Sequence, residues 1–147
     1  RYIEEKKIIQ NFLYHIGHDT GLATYGEKEV RRALNLGIVE TLLLSEALDI
    51  TRVTVKCTSC GYTYKETMKS LEVSSFEQSL SGKPCPECGV PTLQVVEDKT
   101  IIEELAELAE KAGANVEMIS VETEEGQMLI ESFGGIAAIL RFKQPSQ

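Results

Sequence analysis

Apolar side chains near the start of the chain recur at Ile9, Phe12, Leu13 and Ile16. This i, i+3, i+4, i+7 spacing lines one face of a helix and predicts one over Tyr2 to Ile16. The stretch "GHDTGLATYG" then interrupts the pattern with three glycines and turn formers. A second helix is expected from about Glu27 to Leu36, with Val30, Ala33 and Leu34 inward and Gly37 placed to end it. "IVETLLLSE" follows, a short, branched, nearly continuous apolar run of the kind buried on both faces of a sheet.

Past residue 97 the helical period returns. Asp98 is placed to cap a helix from Lys99 to Ala112, whose stripe is Ile101, Leu105, Leu108 and Ala112. Val116 to Val121 reads as a strand. Thr123 can cap a further helix, with Glu124 and Glu125 suited to its positive end. Gly134-Gly135 is a sharp turn into "IAAILRF", another buried strand, and "KQPSQ" reads as a frayed tail. Strands alternating with helices imply an α/β fold with a mostly parallel sheet sandwiched between helices.

Between the two halves lies a different pattern. "RVTVK", "YTYKET" and "TLQVV" read as short strands around two hooks, Cys57-x-x-Cys60-Gly61 and Cys85-x-x-Cys88-Gly89. The expected organisation is therefore one α/β domain, residues 1–51 with 97–147, carrying an insertion at residues 52–96 in a crossover connection, where extra chain is tolerated.

Two residues between thiols let one tight turn aim both sulfurs at a point, and the following glycine relieves the turn. Two such hooks supply four thiolates in a tetrahedron, the arrangement zinc prefers. Disulfides, a redox C-x-x-C pair and an iron–sulfur cluster are the alternatives. Disulfides have no secretory context to support them, and a redox pair does not need two matched hooks. Four thiolates close the zinc shell, so the metal is expected to be structural, one Zn²⁺ per chain, standing in for a core that the small insertion lacks.

Composition narrows the function. The chain has 147 residues and 42% apolar content, enough for one ordinary core, and no apolar run reaches the roughly eighteen residues of a membrane helix. "RYIEEKK" is not a signal peptide, and it lacks an initiator Met, as a fragment of a longer protein would. Against 23 acidic residues stand 15 basic ones, a net charge of −8, which disfavours nucleic-acid binding unless cations cluster. Lys6, Lys7, Arg31 and Arg32 are interleaved with Glu, as on solvated helix faces. Lys56, Lys65, Lys69 and Lys83 give the cysteine insertion positive charges compatible with a nucleic-acid contact, although scattered lysines usually serve solubility.

No catalytic constellation emerges. The two histidines, His15 and His18, fall at a helix end, where the dipole favours them. Ser45 and Ser132 have no evident base, and Gly134-Gly135 lacks the spacing of a phosphate loop. The chain reads as a non-enzyme.

"YGEKEVRRALNLGIVETLLLSEAL" and "GANVEMISVETEEGQMLIESFGGIAAILRF" resemble the C-terminal domain of the class I peptide chain release factors of eukaryotes and archaea, release factor subunit 1. The likeness runs in order over nearly the whole chain, and the four-cysteine insertion resembles the archaeal form. The resemblance implies a three-layer α-β-α sandwich related to the kink-turn-binding ribosomal proteins, in a cytoplasmic translation factor. Decoding and peptidyl-tRNA hydrolysis belong to other domains of such a factor. The C-terminal domain instead docks a translational GTPase, in archaea one resembling elongation factor 1-alpha, and later an ABC-type ribosome-recycling ATPase. A family motif linked to GTPase binding matches Ala138, Ile139, Leu140, Arg141 and Phe142, with Ala138 in place of the usual Gly and Phe142 in place of Tyr. Ile139 and Leu140 also read as core residues, whereas Arg141 at a strand end is expected to face outward. The C-terminal domain of Pelota, the paralogous ribosome-rescue factor, shares the layout but typically lacks the cysteine insertion. A free-standing kink-turn RNA binder is the other alternative.

Overall fold

The computed structural model describes residues 2–144 and divides into two compact units. One comprises the chain up to Leu48 and from Glu104 onward; the other is Asp49–Glu103.

The first unit is a mixed α/β domain. Helix α1 (Tyr2–Gly17) leads into a short strand β1 (Ala23–Tyr25), helix α2 (Glu27–Asn35) and strand β2 (Val39–Ser45). After the second unit come helix α4 (Ile101–Lys111), strand β6 (Asn115–Ile119), helix α5 (Glu124–Phe133) and strand β7 (Ile136–Leu140). Lys143 and Gln144 have no regular structure; Arg1 and residues 145–147 of the "KQPSQ" tail lie outside the described residues.

The sheet order is β1-β7-β2-β6. Of its three pairings, β2–β6 is parallel, while β1–β7 and β2–β7 are antiparallel. The expectation of a mostly parallel sheet is thus corrected. Helix α5 returns the chain so that β7 enters between β1 and β2 in the opposite sense, and β1, unseen in the sequence pattern, pairs with its far edge. Strand β7 is buried at every position, as befits a central strand. A register shift between Val39 and Thr41 puts Glu40 out to solvent, so β2 carries a charge without burying it.

One face of this sheet is covered by α1 and α5. Ile9 and Phe12 of α1, Leu129 of α5, and Leu43, Ile119, Ala137 and Ile139 of the sheet form one buried cluster, with Leu13, Ile16 and Phe133 packed against it. Phe12 and Phe133 meet edge-to-face, ring centres 5.1 Å apart. The alternate strand residues Leu42, Leu44, Ala138 and Leu140 are buried as well. Helix α2 packs on β7 and β1, burying Val30, Ala33 and Leu34. Arg31 of α2 pairs with Glu27 at 3.0 Å and with Glu104 of α4.

Helix α4 starts two residues later than Lys99. Asp98 lies within strand β5 (Leu93–Thr100), and the helix is capped by Thr100, whose Oγ1 accepts from the Glu103 backbone N–H at 3.2 Å and donates to the Glu103 carboxylate at 3.0 Å. The Glu103 carboxylate closes on the Thr100 hydroxyl and not on the Thr100 backbone N–H, so the pair makes one half of a capping box. Thr123 caps α5 as its position predicts, accepting from the Gly126 N–H at 2.9 Å.

The second unit is a three-stranded antiparallel sheet, order β4-β3-β5, formed by β3 (Ile50–Cys57), β4 (Thr63–Lys69) and β5. A 3₁₀ turn and helix α3 (Val73–Ser79) follow β4. Val53, Val55, Cys57, Leu80, Cys85 and Leu93 form its small core, against which Val73, Phe76, Tyr62 and Tyr64 pack.

Candidate metal centre

The four cysteines meet at one end of the three-stranded sheet. The two hooks fold identically. The Cys57 carbonyl accepts from Gly61 N–H at 2.9 Å and the Cys57 N–H donates to the Tyr62 carbonyl at 2.8 Å. Likewise, the Cys85 carbonyl accepts from Gly89 at 2.9 Å and the Cys85 N–H donates to Val90 at 3.0 Å. Each closure requires a left-handed residue, supplied by Gly61 at φ 83° and Gly89 at φ 76°. Cys57 and Cys85 are buried and Cys60 and Cys88 exposed, so each hook presents one inner and one outer thiol.

All four Sγ atoms lie within 4.8 Å of one another. The Cys57–Cys88 and Cys60–Cys85 separations are 3.6 and 3.7 Å. These are too long for disulfides, and the four thiols are free. A tetrahedron with metal–sulfur bonds of about 2.3 Å has edges of about 3.8 Å, which these two separations match. The cluster can therefore hold a metal.

Surrounding polar groups tune the sulfurs. The Thr92 hydroxyl, 3.2 Å from Cys57 Sγ, and the Cys60 backbone N–H lower the Cys57 thiol to about 6, against the opposing effect of burial. At Cys60 the Tyr62 backbone N–H favours the thiolate, yet lost hydration and the neighbouring sulfurs push it up to about 12. At Cys88 the Val90 N–H acts in the same favourable direction but is outweighed by lost hydration and by Cys57 and Cys85. One thiol ionises readily and its neighbours resist, as crowded like charges must. A cation at the centre would reverse that resistance. The outer groups also orient the sulfurs: Glu87 N–H lies 3.4 Å from Cys85 Sγ, and Ser59 Oγ lies 2.9 Å from Thr92 Oγ1. Thr92 carried no signal in the sequence, because its contact with Cys57 spans 35 positions.

With this geometry established, comparison with known proteins is decisive. The family model for eRF1 domain 3 matches residues 2–144. The chain belongs to this family. It is 50% identical over 141 residues to peptide chain release factor subunit 1 of Pyrococcus abyssi and 46% identical over 142 residues to that of Methanocaldococcus jannaschii. It covers 96% of its own length in both alignments but only 33% and 34% of those proteins, so it spans about a third of the curated relatives it matches. Among solved structures, the C-terminal domain of the peptide chain release factor from Methanosarcina mazei superposes with a TM-score of 0.80 at 37% identity, covering 97% of this chain and 85% of that one. Pelota from Archaeoglobus fulgidus shares the fold at a TM-score of 0.56 and 25% identity, over 99% of this chain and 32% of that protein.

An eRF1 C-terminal domain is not the catalytic part of its factor. The catalytic Gly-Gly-Gln motif lies in the middle domain, and this sequence does not contain it. His15 and His18 have local roles. His15 Nδ1 sits 2.8 Å from Thr20 Oγ1, and the His18 ring stacks on Tyr14 with centres 4.0 Å apart.

The other residues singled out in the sequence divide by exposure. Ile139 and Leu140 are buried in β7, whereas Arg141 and Phe142 are exposed just beyond it, Phe142 at 65%. The Arg141 N–H donates to the Ile38 carbonyl at 2.7 Å, and its guanidinium donates to the Gly113 carbonyl at 2.6 Å. Arg141 therefore braces the turn after α4 while keeping an outward face.

Proposed function

We propose that this chain is the non-catalytic docking domain of a cytoplasmic, ribosome-acting release factor. In this reading it binds a translational GTPase resembling elongation factor 1-alpha and, in a later step, an ABC-type ribosome-recycling ATPase. The observation that carries the reading is the eRF1 domain 3 match across residues 2–144. A related structure supports the second partner: archaeal Pelota, 25% identical with a TM-score of 0.53, is described as ribosome-bound together with ABCE1. The release-factor reading is favoured over a Pelota-like one by the 50% identity to release factor subunit 1 against 25% to Pelota.

The GTPase surface is assigned to the end of β7. Ile139 and Leu140 hold the strand in the core, and Arg141 with Phe142 makes the contact. A shallow depression of about 360 Å³ lies between the C-terminal ends of α2 and α4, lined by Leu34, Leu36, Leu108 and Ala112 together with the polar Asn35 and Lys111. Leu36 is exposed, and Gly113, which Arg141 holds, directly follows Ala112. An exposed aromatic, an arginine and a hollow of mixed polarity beside them are the elements of an interface anchor.

The cysteine site is assigned to one structural Zn²⁺, closed by Cys57, Cys60, Cys85 and Cys88, making Asp49–Glu103 a zinc ribbon inserted into a three-layer α-β-α sandwich. The closed thiolate set has no open position for substrate, which agrees with a structural role.

Isothermal titration of the chain with the GTP-bound GTPase tests the proposal. A saturable one-to-one complex, weakened at least about tenfold by combined Arg141→Ala and Phe142→Ala substitutions, is expected. Absence of binding, or binding indifferent to both substitutions, would overturn it.

A further inference from the structure

The cations of the cysteine-bearing unit are sorted by the sheet rather than scattered. In β3, Val53, Val55 and Cys57 turn into the core. Side chains alternate along a strand, so Arg52, Thr54 and Lys56 turn to the opposite face. Strand pairing brings to that same face Thr63, Lys65 and Thr67 of β4, opposite Lys56, Thr54 and Arg52. Lys69 joins them opposite Ile50, and Lys99 of β5 lies opposite Arg52. Of the six Lys and Arg residues in Asp49–Glu103, five thus share one face, and the sixth, Lys83, lies outside the strands. The acidic strand residues divide the other way. Glu66 and Asp98 both lie opposite Val53 on the core-facing side, leaving Glu97 as the single carboxylate among the strand residues of the basic face. Lys56, Lys65 and Lys69 are exposed.

We propose that this face of the β4-β3-β5 sheet docks the phosphate backbone of RNA. The inference takes its occupant from the reading above, in which the domain works on the ribosome. Chemistry narrows it further. The face offers the ammonium groups of Lys56, Lys65 and Lys69 and the hydroxyls of Thr54, Thr63 and Thr67 across a patch about 10 Å wide and about 20 Å long, with Glu97 its single carboxylate. A phosphate backbone is the complementary surface, rich in acceptors and negative charge. A protein partner would need a desolvated apolar or aromatic anchor at the centre. The central strand here presents Arg52, Thr54 and Lys56, with its one apolar residue on this face, Ile50, half-buried at the strand's start. In a chain of net charge −8, segregating five cations onto one flat face also confines an RNA strand to that face and repels it elsewhere.

Fluorescence anisotropy with a labelled poly(U) oligonucleotide tests the inference, using the chain, its Lys56→Ala/Lys65→Ala/Lys69→Ala variant and a Lys6→Ala/Lys7→Ala/Lys28→Ala variant with the same change in net charge. Circular dichroism confirms that each is folded. The sheet variant is expected to bind at least about fivefold more weakly, with its log–log salt slope reduced by about 2, or 0.7 per lost phosphate contact. The helix variant is expected to match the parent. Equal weakening in both variants, no binding by the parent, or tighter binding of poly-glutamate than of poly(U) would each overturn the proposal. The GTPase titration is repeated on the sheet variant. GTPase binding without RNA binding by the parent chain defeats this inference alone, whereas loss of GTPase binding by the parent chain defeats the docking reading.

Discussion

The carboxylate of Glu5, buried in α1, accepts a hydrogen bond from the backbone N–H of Ser120 at 2.6 Å, joining positions 115 apart in the chain. It fastens the first helix to the residue that follows β6. The same residue constrains α5 from the other side. A Cβ at Gly126 would run into the Ser120 carbonyl, so the helix packs there only because Gly126 has none.

Two stability changes are therefore expected around Ser120. Glu5→Ala leaves a buried N–H unpaired and should cost about 1.5–3 kcal/mol. Gly126→Ala, which in an ordinary helix would gain up to about 1 kcal/mol, should instead cost about 1–3 kcal/mol through overpacking. Urea denaturation followed by circular dichroism reads both. A stabilised Gly126→Ala variant would contradict the close approach.

Along "AILRF", structural and contact roles should separate. Ile139→Ala, at a buried position in β7, is expected to cost about 2–5 kcal/mol. Arg141→Ala loses one exposed hydrogen bond to Gly113 and should cost under about 1.5 kcal/mol. Its melting temperature should therefore stay near the parent value while GTPase affinity falls. A large drop in melting temperature for Arg141→Ala would assign it a structural role instead.

Around the cysteines, metal affinity should depend on pH in one direction. Cys57, lowered to about 6, is already largely thiolate at neutral pH, whereas Cys60, raised to about 12, must give up a proton on binding. Zinc binding thus releases protons, and affinity falls as pH falls. Calorimetry in buffers of different ionisation enthalpy measures the release; a heat independent of buffer would contradict it. Thr92→Val removes the hydroxyl beside Cys57 Sγ and should weaken zinc binding about tenfold.

Local patterns and long-range pairings were unequally legible in the chain. Helix α1, strand β2 and the Thr123 cap lie where apolar period and turn chemistry put them, because those signals act over a few residues. The doubled Cys-x-x-Cys-Gly pattern likewise foretold the clustering of Cys57, Cys60, Cys85 and Cys88. Strand β1 is three residues, too short to show alternation, and exists because Ala23–Tyr25 finds Ala137–Ile139 across the fold. Helix α3 is a short polar segment whose Phe76 and Val73 pack only once the sheet is present. Strand direction has no local signature at all. Alternating helices and strands suggested parallel neighbours, yet β7 pairs antiparallel on both sides. Asp98 looked like a cap because Asp is favoured there and disfavoured in strands; it lies in β5 all the same, and the bonds of Thr100 decide the matter.

A metal-organised unit and a docking domain divide the labour of this chain, and one NMR titration tests that division. The amide spectrum of the chain is recorded with the GTPase absent and present, before and after a strong chelator. The account predicts that chelation erases the dispersed signals of Asp49–Glu103, leaves those of the remaining unit in place, and leaves the GTPase-induced shifts around Arg141 and Phe142 unchanged. Collapse of the whole spectrum, or a spectrum indifferent to the chelator, would contradict it.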